Sequence, residues 1–196
     1  GSIVDPELGS AVAAGNVTTS QRIVDTIFLA FQACAASQGC MNNLSLGNQH
    51  YAYYETIGGG AGAGPGFAGE DGVHTHMTNT RATDPEVLEQ NFPLLLHEFS
   101  LRKNSGGKGQ FQGGDGLIRE MEFREPMEVN LLTERRIQPP YGMLGGKEGA
   151  CGKNWYFSAD AEESPIPLEG KSTLKTRPGD RIRIETPGGG GYGRQG

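Results

Sequence analysis

The stretch Asp180-Arg181-Ile182-Arg183-Ile184-Glu185-Thr186-Pro187-Gly188-Gly189-Gly190-Gly191-Tyr192-Gly193 contains both features that organise this chain. Its first half alternates charged and apolar residues strictly after the turn Pro178-Gly179-Asp180, the pattern of a β-strand with one buried face. Its second half has four glycines in a row, which have no side chains with which to build a packed layer. The same bias recurs elsewhere: 32 of the 196 residues are glycine, against an average usage of about 7%. The glycines cluster without a triplet period, which excludes collagen and predicts long ordered loops.

Outward from this stretch the reading is mostly β. Met41–Leu46 and Tyr51–Ile57 flank Gly47-Asn48-Gln49-His50, a hairpin signature. Leu95, His97, Phe99 and Leu101 alternate with more polar neighbours, as do Met121 and Phe123 within Leu117–Arg124. Val129–Glu134, Asn154–Ser158 and Ser172–Thr176 are further strands. Two helices are expected. Thr18 with Gln21 forms a capping box before Ile23, Val24, Ile27, Phe28, Phe31 and Cys34 at helical spacing, predicting one long N-terminal helix to about residue 35 whose Phe28 and Phe31 stripe is core. Thr83 with Glu86, and Pro85 in a first turn, predict a short helix from Asp84 to about Asn91. The fold class is therefore α+β, predominantly β, with extended Gly-rich loops.

Composition narrows the function. Leu, Ile, Val and Phe make up about 20% of the chain, close to the lower limit for a packed globule, so the core must be thin. A net charge of −6 and only a dispersed basic set at Lys171, Lys175, Arg177, Arg181 and Arg183 argue against nucleic acid and anionic membrane as partners. No apolar run reaches membrane-spanning length, and no signal-peptide pattern opens the chain. Cys34, Cys40 and Cys151 are odd in number and share no metal-ligand spacing, which fits a reducing, cytoplasmic setting. Gly1-Ser2 reads as the cleavage scar of an expression tag, leaving residues 3–196 as the natural sequence.

Four segments carry a family resemblance. They are Tyr53-Tyr54-Glu55-Thr56-Ile57-Gly58-Gly59-Gly60-Ala61-Gly62-Ala63; Gly72-Val73-His74-Thr75-His76-Met77-Thr78-Asn79-Thr80-Arg81 with Thr83-Asp84-Pro85-Glu86; Gly113-Gly114-Asp115-Gly116 running into Phe123-Arg124; and Thr186–Gly193. Ser37-Gln38-Gly39, Met41-Asn42-Asn43 and Thr133-Glu134-Arg135-Arg136 fit the same pattern. In this order they resemble the C-terminal portion of the hydantoinase B/oxoprolinase family.

That resemblance implies a fragment of an ATP-dependent enzyme that opens the ring amide of 5-oxo-L-proline to L-glutamate, a step of the glutathione cycle, and that is inactive as an isolated piece. A structural and assembly module of a related hydantoinase or ketone carboxylase is the alternative. The resemblance places ATP and magnesium mainly on a separate hydantoinase A-like region, and any divalent metal site in a more N-terminal part of the B region. The expected partners are the remainder of the same polypeptide and further copies of it.

Lactam opening of this kind is easiest after phosphorylation of the amide oxygen, which makes the ring carbon electrophilic toward water. It calls for a proton carrier, oxyanion donors and a carboxylate grip. Residues 74–81 offer them. If the segment is extended, His74, His76 and Thr78 share one face, with Asn79 and Arg81 close behind. The histidines are the candidate catalytic groups, Asn79 can orient a carbonyl, and Arg81 can grip a carboxylate. Gly60 and Gly62 lie in a loop whose amides can face a substrate anion if the glycines take positive φ. A plainer reading has the histidines bonded to loop backbone and Asp71, with Arg81 paired to an acid. Metal binding by His74 and His76 needs a third ligand such as Asp71 or Glu55.

No Walker A is present, because Gly146-Lys147 is followed by Glu148, and the G-x-G-x-x-G at Gly64, Gly66 and Gly69 follows no strand. Glu134-Arg135-Arg136 reads as a solvated strand end. Ser37 lacks a nucleophile elbow and a sequence-adjacent histidine, so a serine-hydrolase mechanism has little support.

Overall fold

The computed structural model describes residues 4–10, 12, 14–160 and 164–196; Gly1 and Ser2, read above as a cleavage scar, lie outside them. Two antiparallel sheets share one core. The first sheet has the order β2-β1-β5-β8, from β1 (Asn43–Gly47), β2 (Ala52–Glu55), β5 (Met127–Leu132) and β8 (Lys171–Thr176). The second runs β3-β4-β9-β6-β7, from β3 (Leu94–Arg102), β4 (Gly116–Phe123), β6 (Lys153–Phe157), β7 (Ile166–Leu168) and β9 (Arg181–Glu185).

The alternation in β9 does what its pattern predicts. Ile182 and Ile184 are fully buried and pack with Met121, Phe123, Leu44 and Val129. Arg181 and Arg183 face outward, where Arg183 pairs with Glu98 at 2.7 Å and Glu120 at 2.9 Å. In β3 the pattern misleads, because a bulge between Leu96 and Glu98 exchanges the two faces. Leu94 and Leu96 join the core before it, and Phe99 and Leu101, after it, lie opposite Arg119 and Leu117 with about two-fifths of their surface exposed.

The N-terminal helix departs further from expectation. A π-helical turn, Gly15–Thr19, leads into α1 (Ser20–Ala30), which starts after Thr19 with no side-chain cap and ends at Ala30. Residue 35 is not reached, since Gln32 already has a φ of 53° and the chain turns into the extended segment that follows. The buried face of α1 is polar: Gln21 and Asp25 are 0% and 2% exposed, whereas Ile27 is 48% and Phe31 79% exposed. Gln21 caps nothing. Its amide binds Thr75 O at 2.6 Å. The second helix, α2 (Pro85–Asn91), forms as predicted, but Asp84 rather than Thr83 caps it, accepting from Glu86 N at 3.0 Å.

The Gly-rich segments are ordered by a different means. Residues 35–38, 58–64, 69–72, 105–115, 140–150 and 187–193 run alongside one another as a lattice of backbone hydrogen bonds. Ala63 N donates to Gly190 O, Gly190 N to Ala36 O, Gly114 N to Ala61 O and Gly189 N to Gly114 O, all at 2.8–2.9 Å. No glycine of 58–64, 106–107, 113–114 or 188–191 has a positive φ. These positions are glycine because the neighbouring backbone lies where a side chain would be: a Cβ on Gly60 would overlap Gly114 O and Gly189 N, and one on Gly189 would overlap Ala61 O.

Candidate functional site

The loop that follows residue 72 hangs from this lattice. Val73 pairs with Gly59 through two backbone hydrogen bonds, and Asp71 accepts the Asp115 amide at 2.6 Å. The segment then turns instead of running extended. His76 has a φ of 58°, Thr78 N closes the turn on Thr75 O at 3.1 Å, and Gln21 holds the same carbonyl from α1. A left-handed residue at this point sends the two histidine rings to different places.

His76 joins a cluster on the buried side of α1. Its Nε2 lies 3.2 Å from Ser37 Oγ and 3.5 Å from Asp25 Oδ1, and its ring meets Phe28 edge-on at 5.7 Å. Asp25 is clamped by Arg135 Nη2 at 2.7 Å and by the Ser37 amide at 3.2 Å, and its carbonyl accepts the Tyr141 hydroxyl. Burial first, and then the charge of Asp25, push the Tyr141 phenol upward, so that hydroxyl keeps its proton. A hydroxyl, an imidazole and a carboxylate are therefore together, yet one ring nitrogen faces both the serine and the acid. A serine-protease triad uses opposite nitrogens for those contacts. The arrangement is suited to holding and passing a proton at His76 Nε2 rather than to generating an alkoxide at Ser37.

His74 turns to a second cluster. Arg119 forms a fork with Glu55, Nε to Oε1 and Nη2 to Oε2 both at 2.7 Å, with both side chains buried. Tyr53 donates to the same carboxylate at 2.6 Å, and burial, followed by the Glu55 charge, pushes its phenol up to about 12. A cavity of about 80 Å³ opens beside them, lined by Glu55, His74, Thr80, Phe99 and Arg119 among others. His74 Nε2 lies 3.1 Å from Thr80 Oγ1; its Nδ1 and Arg119 Nη1 are buried without partners. Burial lowers the His74 pKa, favouring the neutral ring.

The other sequence candidates are placed differently. Asn79 and Arg81 are exposed, and their side chains make no hydrogen bond or ion pair with described residues. Gly60 and Gly62 are buried within the lattice, where Gly60 N donates to Pro187 O. Among the described residues no group of three or more His, Cys, Asp or Glu is arranged to hold a metal ion. Glu134-Arg135-Arg136 is no solvated strand end, since Arg135 is 8% exposed and Arg136 is enclosed by hydrogen-bond partners.

The hydantoinase B/oxoprolinase pattern matches residues 1–195. The chain belongs to the hydantoinase B/oxoprolinase family. Among curated members of that family it is 54% identical over 193 residues to 5-oxoprolinase 1 of Arabidopsis thaliana and 48% identical over 195 residues to 5-oxoprolinase of Dictyostelium discoideum. Those alignments cover 98% and 100% of this chain but 15% of each relative, so the chain spans about a seventh of their length. Its fold is that of a part of the ATP-dependent caprolactamase from Pseudomonas jessenii (TM-score 0.70, 24% identity, 86% of this chain and 32% of that one). It also resembles nucleotide-free acetone carboxylase (TM-score 0.63, 17% identity, 83% and 27%).

Sequence reasoning in this oxoprolinase-family chain missed Arg119 and Asp25. Both carried a signal. Arg119 has the same parity in β4 as the buried Met121 and Phe123, and a charge at an inward strand position demands a partner. Asp25 offered less, because the apolar stripe of α1 pointed to the wrong face.

Proposed function

We infer that this chain is the C-terminal part of an ATP-dependent cyclic-amide hydrolase whose substrate is 5-oxo-L-proline and whose product is L-glutamate, as in the glutathione cycle. The observation that carries the reading is the identity of 48–54% to proteins named 5-oxoprolinase over essentially the whole chain. The site supports it with a loop, residues 73–81, that carries one proton-holding histidine and an unpaired Arg81. In this reading His76 holds or moves a proton at Nε2, oriented by Asp25 and Ser37. Arg81 and Asn79, without hydrogen-bond or ion-pair partners among the described residues, receive the substrate carboxylate and carbonyl. His74, neutral, and Arg119 border the adjoining cavity, and the lattice glycines, Gly60 and Gly62 included, set the position of the loop.

ATP, when bound, supplies the phosphoryl group that makes the lactam carbon electrophilic, and it and magnesium reside on the remainder of the longer polypeptide. The isolated chain is then inactive, and the cytoplasm is its compartment.

The test is 5-oxo-L-proline-dependent ADP release by the longer protein, beside this chain alone at equal concentration with magnesium and potassium. Activity in the longer protein only is expected. Activity with a hydantoin or ketone but not with 5-oxo-L-proline overturns the substrate assignment, and turnover by the chain alone overturns the placing of ATP.

One observation favours a second reading, an assembly role. α1 exposes Ile23 and Ile27 on one face, with Phe31 just beyond it, and Leu29 on another, apolar surface suited to covering by another part of the longer polypeptide or by a second copy. Arg81→Ala separates the two: lost turnover with assembly intact supports the catalytic role, and lost assembly the structural one.

A further inference from the structure

A second cavity meets the site above only through Arg135, whose guanidinium clamps Asp25. It is a groove of about 620 Å³ where the end of β5 meets the turn between β7 and β8. Four cations border it, Arg22, Arg135, Arg136 and Lys171, against two acids, Glu134 and Glu169, on a chain whose overall charge is −6. Arg135 is neutralised by Asp25 from behind, and Lys171 reaches Glu134 at 3.9 Å with most of its side chain exposed. Arg136 and Arg22 form no close ion pair among the described residues, although the Glu134 charge acts on both.

The Arg136 guanidinium is held by neutral oxygens alone: Nη1 donates to Asn42 Oδ1 and Glu134 O, both at 2.7 Å, and Nη2 to Asn154 Oδ1 at 2.8 Å. Its Nε, together with Arg22 Nη1 and Arg135 Nε, is buried with no hydrogen-bond partner. A buried guanidinium with no carboxylate in hydrogen-bond contact is an expensive arrangement, because desolvation outweighs the more distant Glu134 charge. The same burial pushes Arg136 down to about 10. Three neutral acceptors orient the group while leaving its charge available, as a built anion site would.

We propose that this groove binds an oxyanion, a carboxylate or phosphate group, seated between Arg22, Arg136 and Lys171. The proposal is independent of the amide-hydrolase reading, since none of these residues belongs to the two histidine clusters.

The test is thermal unfolding and titration calorimetry of the 196-residue chain with inorganic phosphate, with glutarate, and with sodium chloride at matched ionic strength. Phosphate or glutarate is expected to raise the midpoint saturably where chloride does not, and whichever acts identifies the source, phosphoryl or carboxylate. Removing one charge-assisted contact weakens binding by about tenfold or more. Arg22→Gln and Lys171→Glu are expected to show that loss, and Arg177→Gln, exposed elsewhere, none. Should Arg22→Gln disturb α1, Lys171→Glu alone gives the reading, because its side chain is 71% exposed. A response equal to that of chloride, or binding undiminished in Lys171→Glu, overturns the proposal.

Discussion

The two halves of this molecule are packed by different physics. In the sandwich, alternating side chains from two sheets interlock around Phe123, Met121, Ile182 and Leu44. In the glycine lattice the backbone itself is the packing surface, and adjacent segments touch where side chains would be. A core of side chains yields to small changes by shifting rotamers. A lattice of peptide planes has no rotamers to shift, so it holds its shape closely, and the loop bearing His74 and His76 is anchored to it at Gly59 and Asp115. The rigid half presents the candidate site, and the tolerant half supports it.

Changes of one carbon atom measure that difference. Gly189→Ala places a methyl group on Ala61 O, Ala61 C and Gly62 N, all closer than 3.0 Å. Its expected cost exceeds about 4 kcal/mol, the range of exceptional substitutions, and it is read as loss of a cooperative urea transition. Arg119→Met comes next, because it leaves the Glu55 carboxylate buried with Tyr53 as its remaining hydrogen-bond partner. Breaking a buried pair from one side costs about 3–5 kcal/mol, measured as a shift in urea midpoint. Ile182→Val removes one carbon from the side-chain core and is expected to cost only about 0.5–1.5 kcal/mol. If Gly189→Ala and Ile182→Val prove equal, the distinction between the two halves fails.

The smallest effect concerns pH. Burial holds the His74 imidazole below its ordinary value. A histidine depressed on folding contributes stability that is present above its unfolded pKa of about 6.5 and lost as pH falls below it, because the unfolded chain then binds the extra proton. The urea midpoint is expected to decline between pH 7 and 5 with a shallower slope in His74→Asn. Equal slopes would show that the ring is not held neutral.

What the sequence disclosed follows the same division. Side-chain packing leaves a periodic trace, so β9, the β1-β2 hairpin and α2 were legible, the last two with small shifts at their ends. Backbone packing leaves only an excess of glycine, which reads equally well as positive-φ loops, and the two uses differ only in three dimensions. The bulge in β3 inverted a pattern that was correctly seen, and one left-handed residue, His76, separated histidines that an extended chain would have kept on one face. In α1 the apolar stripe was real, but Ile23, Ile27 and Phe31 face outward and only Phe28 turns toward His76, because Gln21 and Asp25 are the residues that the loop and Arg135 engage. Ser37 and His76 are 39 positions apart, and no local pattern announces their contact.

In the function proposed above, the loop on the rigid half carries the chemistry. Its most direct test is kcat/KM for 5-oxo-L-proline-dependent ADP release in the longer protein, comparing His76→Asn and Arg81→Ala with Lys175→Ala on the sandwich edge. A fall of about tenfold or more is expected for each loop variant, with unchanged melting for Arg81→Ala and no kinetic change for Lys175→Ala. Wild-type kcat/KM in both loop variants would contradict it.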